Sequence, residues 1–472
     1  MTNKAELMGL KALTLCFVSA LFLLIAAQSR AQTLPQLDVH SDPAGQFATY
    51  QPRGATPETG AFFQSLGTNG RTCETCHEPA DAWGLSLTDI QNIFNQSNGT
   101  DPLFAAVDGA DCLDSTTHNM LLNHGLIRIF LPISPKTFSG ATPQFTITVV
   151  NDPTNCQLSN PNVQAECAAL YGAGSQCISV YRRPLPATNL TFQTTLMWDA
   201  REPSPITAGL TAGLDQLGSD ATVVHAQATS RPTAAQLADM TSFQTGLFTA
   251  QMTDNNAGSL TDDGATETPE NMPSDPFFYG INNSGFESKD FNENVMTFFD
   301  PWTTLTGTDP VSLARESIAR GETIFNTTTF NGLGFSTCSG CHNDPSIGNN
   351  SNAPGLGKNI VTPSFLTHTG TDAPSNKVLN PGSYLPIFNF TCNKTGKVTP
   401  TTDPGRALIT GECNDVESIK IPTLHGLAAR TPLFHNGAAP DLTTVVKFYN
   451  QRFKIGLSTQ DQTDLVNFLN TL

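Results

Sequence analysis

The first apolar run, Ala12 to Ala27, follows Lys4 and Lys11 and is closed by Ser29-Arg30-Ala31, a small-x-small cleavage pattern. It is shorter than the roughly 20 residues a spanning helix needs, so residues 1–31 read as a secretory signal peptide and not as a retained anchor. No later segment is long or apolar enough to span a bilayer. From there to about Gly70 the chain is mostly polar and broken by Pro and Gly, with one short apolar run, Ala61-Phe62-Phe63. Between about residues 101 and 190 the pattern turns to short β-like runs, Leu126 to Leu131 and Gln144 to Val150, separated by Pro, Ser and Gly. Helical spacing returns at about Ala234 to Gln251, and Met252 to Gly285, rich in Asn, Asp, Gly and Pro, predicts a long surface loop. Leu313 to Phe325 is again helical in spacing, with Gly321 suited to a close approach near the helix end. Two predicted helices end the chain, Asp441 to Tyr449 and Ser458 to Leu472, the second opened by Ser458 and Asp461 as a capping pair.

One motif occurs twice on this framework, as Cys73-Glu-Thr-Cys76-His77 and as Cys338-Ser-Gly-Cys341-His342, more than half the chain apart. In a Cys-x-x-Cys-His run the two thiols can add to the vinyl groups of a haem while the histidine ligates the iron. Paired Cys-x-x-Cys knuckles also make tetrahedral zinc sites, but a histidine directly after the second cysteine in both copies is the haem-attachment form. Two covalent c-type haems are therefore expected, with His77 and His342 as the iron ligands. A chain of 472 residues exceeds what one core usually holds, and one haem per domain fits. The expected architecture is mainly α: two cytochrome c-like haem domains, residues 32–300 and 301–472, with a β insertion at about 101–190 and long loops.

The remaining cysteines beyond the signal peptide, Cys112, Cys156, Cys167, Cys177, Cys392 and Cys413, are even in number, and an exported chain keeps disulfides. Three are expected, with Cys392–Cys413 the preferred pair; the other four cysteines allow three connectivities and pin the β insertion. A periplasmic or secreted location follows. The formal net charge of −17 argues against nucleic acid as a partner, because phosphate binding needs clustered Lys and Arg. It suits docking of a basic electron carrier, though acidity of this size also serves solubility alone.

Beyond the second motif come Asp403-Pro-Gly-Arg406, Ile419-Lys-Ile-Pro-Thr-Leu424, Thr431-Pro-Leu-Phe-His-Asn-Gly437 and Leu442-Thr-Thr-Val-Val-Lys-Phe-Tyr449. In that order they resemble the bacterial di-haem cytochrome c peroxidase family, including its MauG-type branch. Met197-Trp198-Asp199-Ala200-Arg201 looks like the family's Trp-Asp-Gly-Arg run, and Leu214-Asp-Gln216 like its Leu-Glu-x-Gln segment. The resemblance covers both haem domains and leaves out the β insertion. It implies that the N-terminal haem meets hydrogen peroxide, that the C-terminal haem takes electrons from a small donor protein such as a cytochrome or cupredoxin, and that Trp198 bridges them. The plain rival for Trp198 is an indole packed between two domains for its area. Tyr449 falls where ordinary members place the methionine ligand of the second haem and the MauG-type branch has tyrosine. A phenolate is a harder ligand than a thioether and favours the ferric state. Its rival reading is an aromatic contact that does not ligate.

Three departures qualify the resemblance. Where the family's catalytic glutamate is due, about ten positions after Gln216, the chain reads Val224-His225-Ala226-Gln227. An imidazole titrates near neutrality, so His225 is the candidate proton carrier, with Gln216, Gln227 and Trp198 as further candidate catalytic residues; a structural His225 is the rival. No clean counterpart of the family's distal histidine exists, and His118 and His124 lie in inserted sequence. Counting back from Trp198 puts Arg183 where the family has a calcium-binding asparagine, which leaves calcium an open question. The expected function is reduction of hydrogen peroxide to water. The alternatives are a MauG-type or oxygenase-type enzyme oxidising a protein or polymer, and a non-enzymatic electron-transfer cytochrome.

Overall fold

The computed structural model describes residues 32–113, 116–202, 209–278, 281–282, 291–331, 337–348 and 369–472. The expected signal peptide, residues 1–31, lies outside them. Strands β1 (Thr33–Leu34), β2 (Leu37–Ser41), β3 (Gly45–Tyr50) and β4 (Thr56–Pro57) come first, with β1 antiparallel to β4 and β2 to β3. Helices α1 (Leu87–Ser97) and α2 (Asn119–His124) follow the first Cys-x-x-Cys-His motif and pack together. The side chain of Ser86 starts α1 by accepting the Asp89 N–H at 3.1 Å, and Asn98 ends it in the left-handed region at φ 52°.

The insertion consists of β5 (Ile127–Ser134), β6 (Phe145–Asn151), α3 (Pro161–Tyr171) and β7 (Gln176–Arg182). β5 and β7 pair antiparallel, disulfide Cys167–Cys177 ties α3 to β7, and Cys112–Cys156 joins the loops on either side. Next come α4 (Leu210–Val224), α5 (Ala234–Gln244), β8 (Phe248–Asp254) and β9 (Gly258–Ser259). β8 returns to β3, so one four-stranded sheet has the order β2-β3-β8-β9. The later elements are α6 (Pro310–Thr327), α7 (Cys338–Cys341), β10 (Ile387–Cys392), β11 (Val398–Thr401), α8 (Ala407–Thr410), α9 (Leu442–Arg452) and α10 (Thr459–Leu469). β10 lies between β11 and β6, which joins the insertion to the C-terminal part of the chain. The preferred disulfide, Cys392–Cys413, is present.

The expectation of a mainly α fold is overturned: among the described residues there are eleven strands in four sheets beside ten α-helices. The reason is local pattern misread for lack of partners. The stretch before Gly70 looked irregular, yet β3 buries Phe47, Ala48 and Thr49 once β8 covers it. The helical spacing read through Gln251 stops at Gln244, and the β-branched and aromatic residues that follow belong to a strand. Met252 to Gly285 is not simply a surface loop, because Ala257, Leu260 and Ala265 enter the largest apolar cluster. No helix of the described residues is long and apolar enough to cross a membrane.

That cluster is built on α6, α9 and α10 around Phe299, Trp302, Phe325, Phe448 and Phe468. Asp441 caps α9 by accepting the Thr444 N–H at 2.7 Å, and Ser458 with Asp461 forms a capping box on α10. Gly321 lets α6 and α10 touch: a Cβ there would lie 2.0 Å from the Asp464 carbonyl oxygen and 2.6 Å from the Phe468 Cβ. Gly321→Ala should gain up to about 1 kcal/mol in helix propensity and lose about 1–3 kcal/mol to overpacking. The loss should win, since the obstructing atom is backbone. Thermal unfolding should show a lower Tm, and an unchanged or higher Tm would show that the helices are not in contact there.

Candidate functional site

Both motifs present their side chains on one-turn segments. Glu74–Cys76 is a 3-10 turn, and Cys338–Cys341 is a single helical turn capped by the Thr337 side chain, which accepts the Gly340 N–H at 3.0 Å. The histidine that follows is held in the same way each time. His77 Nδ1 lies 3.2 Å from the Trp83 carbonyl oxygen and His342 Nδ1 lies 2.6 Å from that of Gly348. A carbonyl only accepts, so Nδ1 carries the hydrogen and Nε2 keeps its lone pair, the form that binds a metal. The residue supplying each carbonyl is in the left-handed region, Trp83 at φ 59° and Gly348 at φ 69°. Burial pushes both imidazoles down to about 4, so they are neutral at pH 7. Burial likewise pushes the Cys73, Cys76 and Cys338 thiols up to about 12. These three and Cys341 are outside the disulfides.

Each motif opens on a mainly apolar cavity. Cys73, Cys76 and His77 line one of about 190 Å³, and Cys338, Cys341 and His342 line one of about 580 Å³. Arg183, Pro184, Trp198, Lys420 and Thr423 line both, so they form a common wall. Within it, Trp198 Nε1 donates to the Arg183 carbonyl at 2.7 Å, its own carbonyl accepts the Lys420 N–H at 2.7 Å, and its ring lies 5.8 Å from that of His435. The His435 Nε2 is 2.9 Å from Asp372 Oδ1.

His225 lines the first cavity together with Leu217, Gly218, Ala221 and Thr222, one face of α4 and its end. Its Nδ1 bonds the buried Asp108 carboxylate, which also pairs with the buried Arg71 guanidinium. Burial alone would raise the Asp108 pKa, but His225 and Arg71 outweigh it and hold the carboxyl below its ordinary value. Gln216 lines neither cavity, and Gln227 is exposed, held by Thr68 Oγ1 donating to its carbonyl at 2.9 Å. His118 and His124 line neither cavity: the first is buried with Nδ1 2.9 Å from the Gly109 carbonyl oxygen, and the second stacks on Tyr384 at 3.7 Å.

Tyr449 lines the second cavity, stacked on Phe453 at 5.8 Å and edge-on to Phe434 and Phe448. Burial pushes its phenol up. Arg183, in the position compared with a calcium-binding asparagine, directs its guanidinium at the carbonyls of Gly125, Leu85 and Arg430. Among the described residues no group of three His, Cys, Asp or Glu side chains is placed to hold a metal ion. Sequence reasoning missed Asp108, Arg71, Lys420 and His435. The last two lie inside the Ile419–Leu424 and Thr431–Gly437 segments and were open to notice; Asp108 is 117 residues from His225 and carried no local signal.

No family model matches the sequence, and no curated protein matches it. Among solved structures, the crystal structure of a MauG-like protein associated with microbial copper homeostasis is similar at a TM-score of 0.38 and 14% identity, covering 87% of each chain.

Asp108→Asn should destabilise the protein by about 3–5 kcal/mol, because it leaves the buried Arg71 without its counter-charge. A carboxyl depressed in the folded state contributes stability above its ordinary pKa of 3.8 and loses it as pH falls below that value. Thermal unfolding of the native chain between about pH 3 and 7 should therefore show an acid loss that is shallower in the variant. Equal slopes would argue against the pair.

Proposed function

We propose that this is an exported di-haem c-type oxidoreductase that reduces hydrogen peroxide with electrons from a small donor protein. The observation that supports it most is the pairing of two Cys-x-x-Cys-His motifs with two mainly apolar cavities that share the wall containing Trp198. The residues fit the group: each cavity has two thiols outside the disulfides and one imidazole whose Nε2 is kept unprotonated by a fixed Nδ1–H bond. Cys73 and Cys76 would hold the first haem with His77 as ligand, and Cys338 and Cys341 the second with His342. When bound, the haems supply redox-active iron.

The chain's own contribution at the first cavity is a positioned base. With Nδ1–H directed at Asp108, His225 keeps Nε2 able to take a proton from peroxide and return it to the departing oxygen. Arg71 holds Asp108 in its ionised form, so the orientation persists. Gln216 and Gln227 have no part in this reading. Trp198 lies in the wall an electron must cross between cavities. The acidic surface implied by a net charge of −17 suits a basic cytochrome or cupredoxin as donor. We divide the work between residues 32–300, which meet peroxide, and residues 301–472, which receive electrons.

Tyr449 favours the MauG-type variant of this reading, in which a protein or polymer is oxidised. Its phenol lies in the second cavity near Cys338 and Cys341, and burial keeps it protonated unless a cation offsets that burial. An iron bound by His342 would be such a cation.

Mass spectrometry of the exported protein should find two covalent haems, and a mass for one haem or for zinc would refute the proposal. Peroxide should react with the protein and at least one iron should be high-spin; two low-spin irons without peroxide reactivity would mark an electron carrier instead. His225→Ala should slow the peroxide reaction by roughly 100-fold or more with both haem spectra retained. Wild-type rates would return His225 to a structural role. Tyr449→Phe should open a new high-spin signal at the second haem, and Tyr449→Met should raise its potential. If Tyr449→Phe moves neither spectrum nor potential, Tyr449 only packs.

A further inference from the structure

Two buried titratable side chains stand behind the second motif and line neither cavity. Glu267, in the segment between β9 and α6, is 2% exposed, and His425 is 1% exposed. His425 Nε2 lies 2.7 Å from the Ser346 carbonyl oxygen, and the Leu424 N–H donates to the next carbonyl, that of Ile347, at 3.0 Å. The carbonyl after that, of Gly348, is the one 2.6 Å from His342 Nδ1. Residues 346–348 are therefore strapped to residues 424–425 at one end and hold the imidazole of the second motif at the other. At the first motif the matching carbonyl belongs to Trp83, whose indole is anchored on Thr49 instead.

A carbonyl only accepts, so His425 Nε2 carries a hydrogen, and its Nδ1 faces Glu267 Oε1 at 3.2 Å. Two bare lone pairs at that distance repel, and neither atom has another hydrogen-bond partner among the described residues. One proton must lie between them. Burial penalises the charge-separated form, which places that proton on the carboxyl, and burial raises the Glu267 pKa against the opposing pull of His425. The other charged groups around the pair are Asp275, Asp344 and, on α6, Glu322, with Arg430 donating to the His425 carbonyl at 2.8 Å. Burial raises these three carboxyls too, Asp344 to about 7 and Glu322 to about 8.

We propose that Glu267 and His425 are a proton-sharing pair that positions His342 through residues 346–348 and couples one proton to the redox state of the second site. This rests on the di-haem reading. When an electron from the donor protein reaches the second site, one proton from water enters the pair; when that electron leaves, the proton returns to water, so charge balances in both directions. Loss of the proton leaves a buried carboxylate facing a bare Nδ1, and this negative charge favours the oxidised iron. His425 keeps its Nε2–H on Ser346 in both states, so the strap persists while the charge behind it changes.

The test is a spectroelectrochemical titration of the exported, haem-loaded chain between about pH 5 and 9. A proton held with the reduced form is lost as pH rises, so the potential of the second haem should fall, by up to about 59 mV per pH unit for one proton per electron. Glu267→Gln keeps the shape and offers Nδ1 an N–H but cannot titrate. It should abolish most of that slope and leave both haem spectra and the slope of the first haem unchanged. Glu322→Gln, at the α6 carboxyl that accepts the Phe299 N–H at 3.0 Å, should keep the slope. His425→Phe frees Ser346 and should shift the second potential at every pH. Redox-difference infrared spectra of the unaltered protein should show the C=O band of a protonated carboxyl growing on reduction, a measurement that needs no variant. A two-haem Glu267→Gln protein with an undiminished slope, a slope lost in Glu322→Gln instead, or no such carboxyl band would overturn the assignment. Absence of covalent haem from the unaltered chain would refute the di-haem reading, and this assignment with it.

Discussion

The wall between the two cavities depends on a single buried arginine. Arg182, at the end of β7, donates from Nε and Nη2 to the two oxygens of Asp403 at 2.6 and 2.9 Å and from Nη1 to Asp199. Asp199 follows Trp198 directly, so this bond fixes the tryptophan segment against the strand. Arg406, three residues past Asp403, closes the other side by donating to the carbonyls of Asp199 and Ala200 at 3.1 and 2.8 Å. An ion pair of this kind contributes little net stability, because desolvation offsets much of the attraction. Its use is in register: with any other pairing a buried charge would be left alone, which is far more costly.

The next residue, Arg183, turns a guanidinium to the opposite purpose. Where Arg182 is neutralised by two carboxylates, Arg183 is solvated by backbone carbonyls and remains a net positive charge. Arg182 is the last residue of β7 and Arg183 the first beyond it, so one strand end supplies both a lock and a charged lining. The same distinction separates the His225–Asp108–Arg71 chain, in which every charge is met, from the surroundings of Lys420 and Arg430, which have no carboxylate ion pair among the described residues. Where a charge is met by the chain, it orients a neighbour.

The two motifs show how a short local rule is reused. In each, the imidazole is fixed by a carbonyl six residues downstream whose residue adopts a positive φ. At the second motif that residue is Gly348, which takes the conformation freely; at the first it is Trp83, for which it is strained and is held by burial and by Nε1 donating to Thr49 at 3.0 Å. The carbonyl direction is therefore preserved by different means at the two sites.

Much of this was legible in the sequence where the information is local. The two Cys-x-x-Cys-His runs, the capping pair of Ser458 and Asp461, the close approach at Gly321 and the Cys392–Cys413 pair all depend on residues near one another along the chain or on the chemistry of a single side chain. What stayed hidden depends on distant partners. β3 reads as irregular until β8, some two hundred residues later, pairs with it, and β6 shows no sign that its neighbour will be β10. That is why a mainly α fold was expected and a mixed one is found. His225 could be marked from its position, but Asp108 and Arg71, which fix its proton, could not. Likewise the composition reveals a strongly acidic chain and conceals the buried Lys420 and Arg183, because net charge is a sum over all residues, whereas the cost of a buried charge is set by the few groups the tertiary structure places around it.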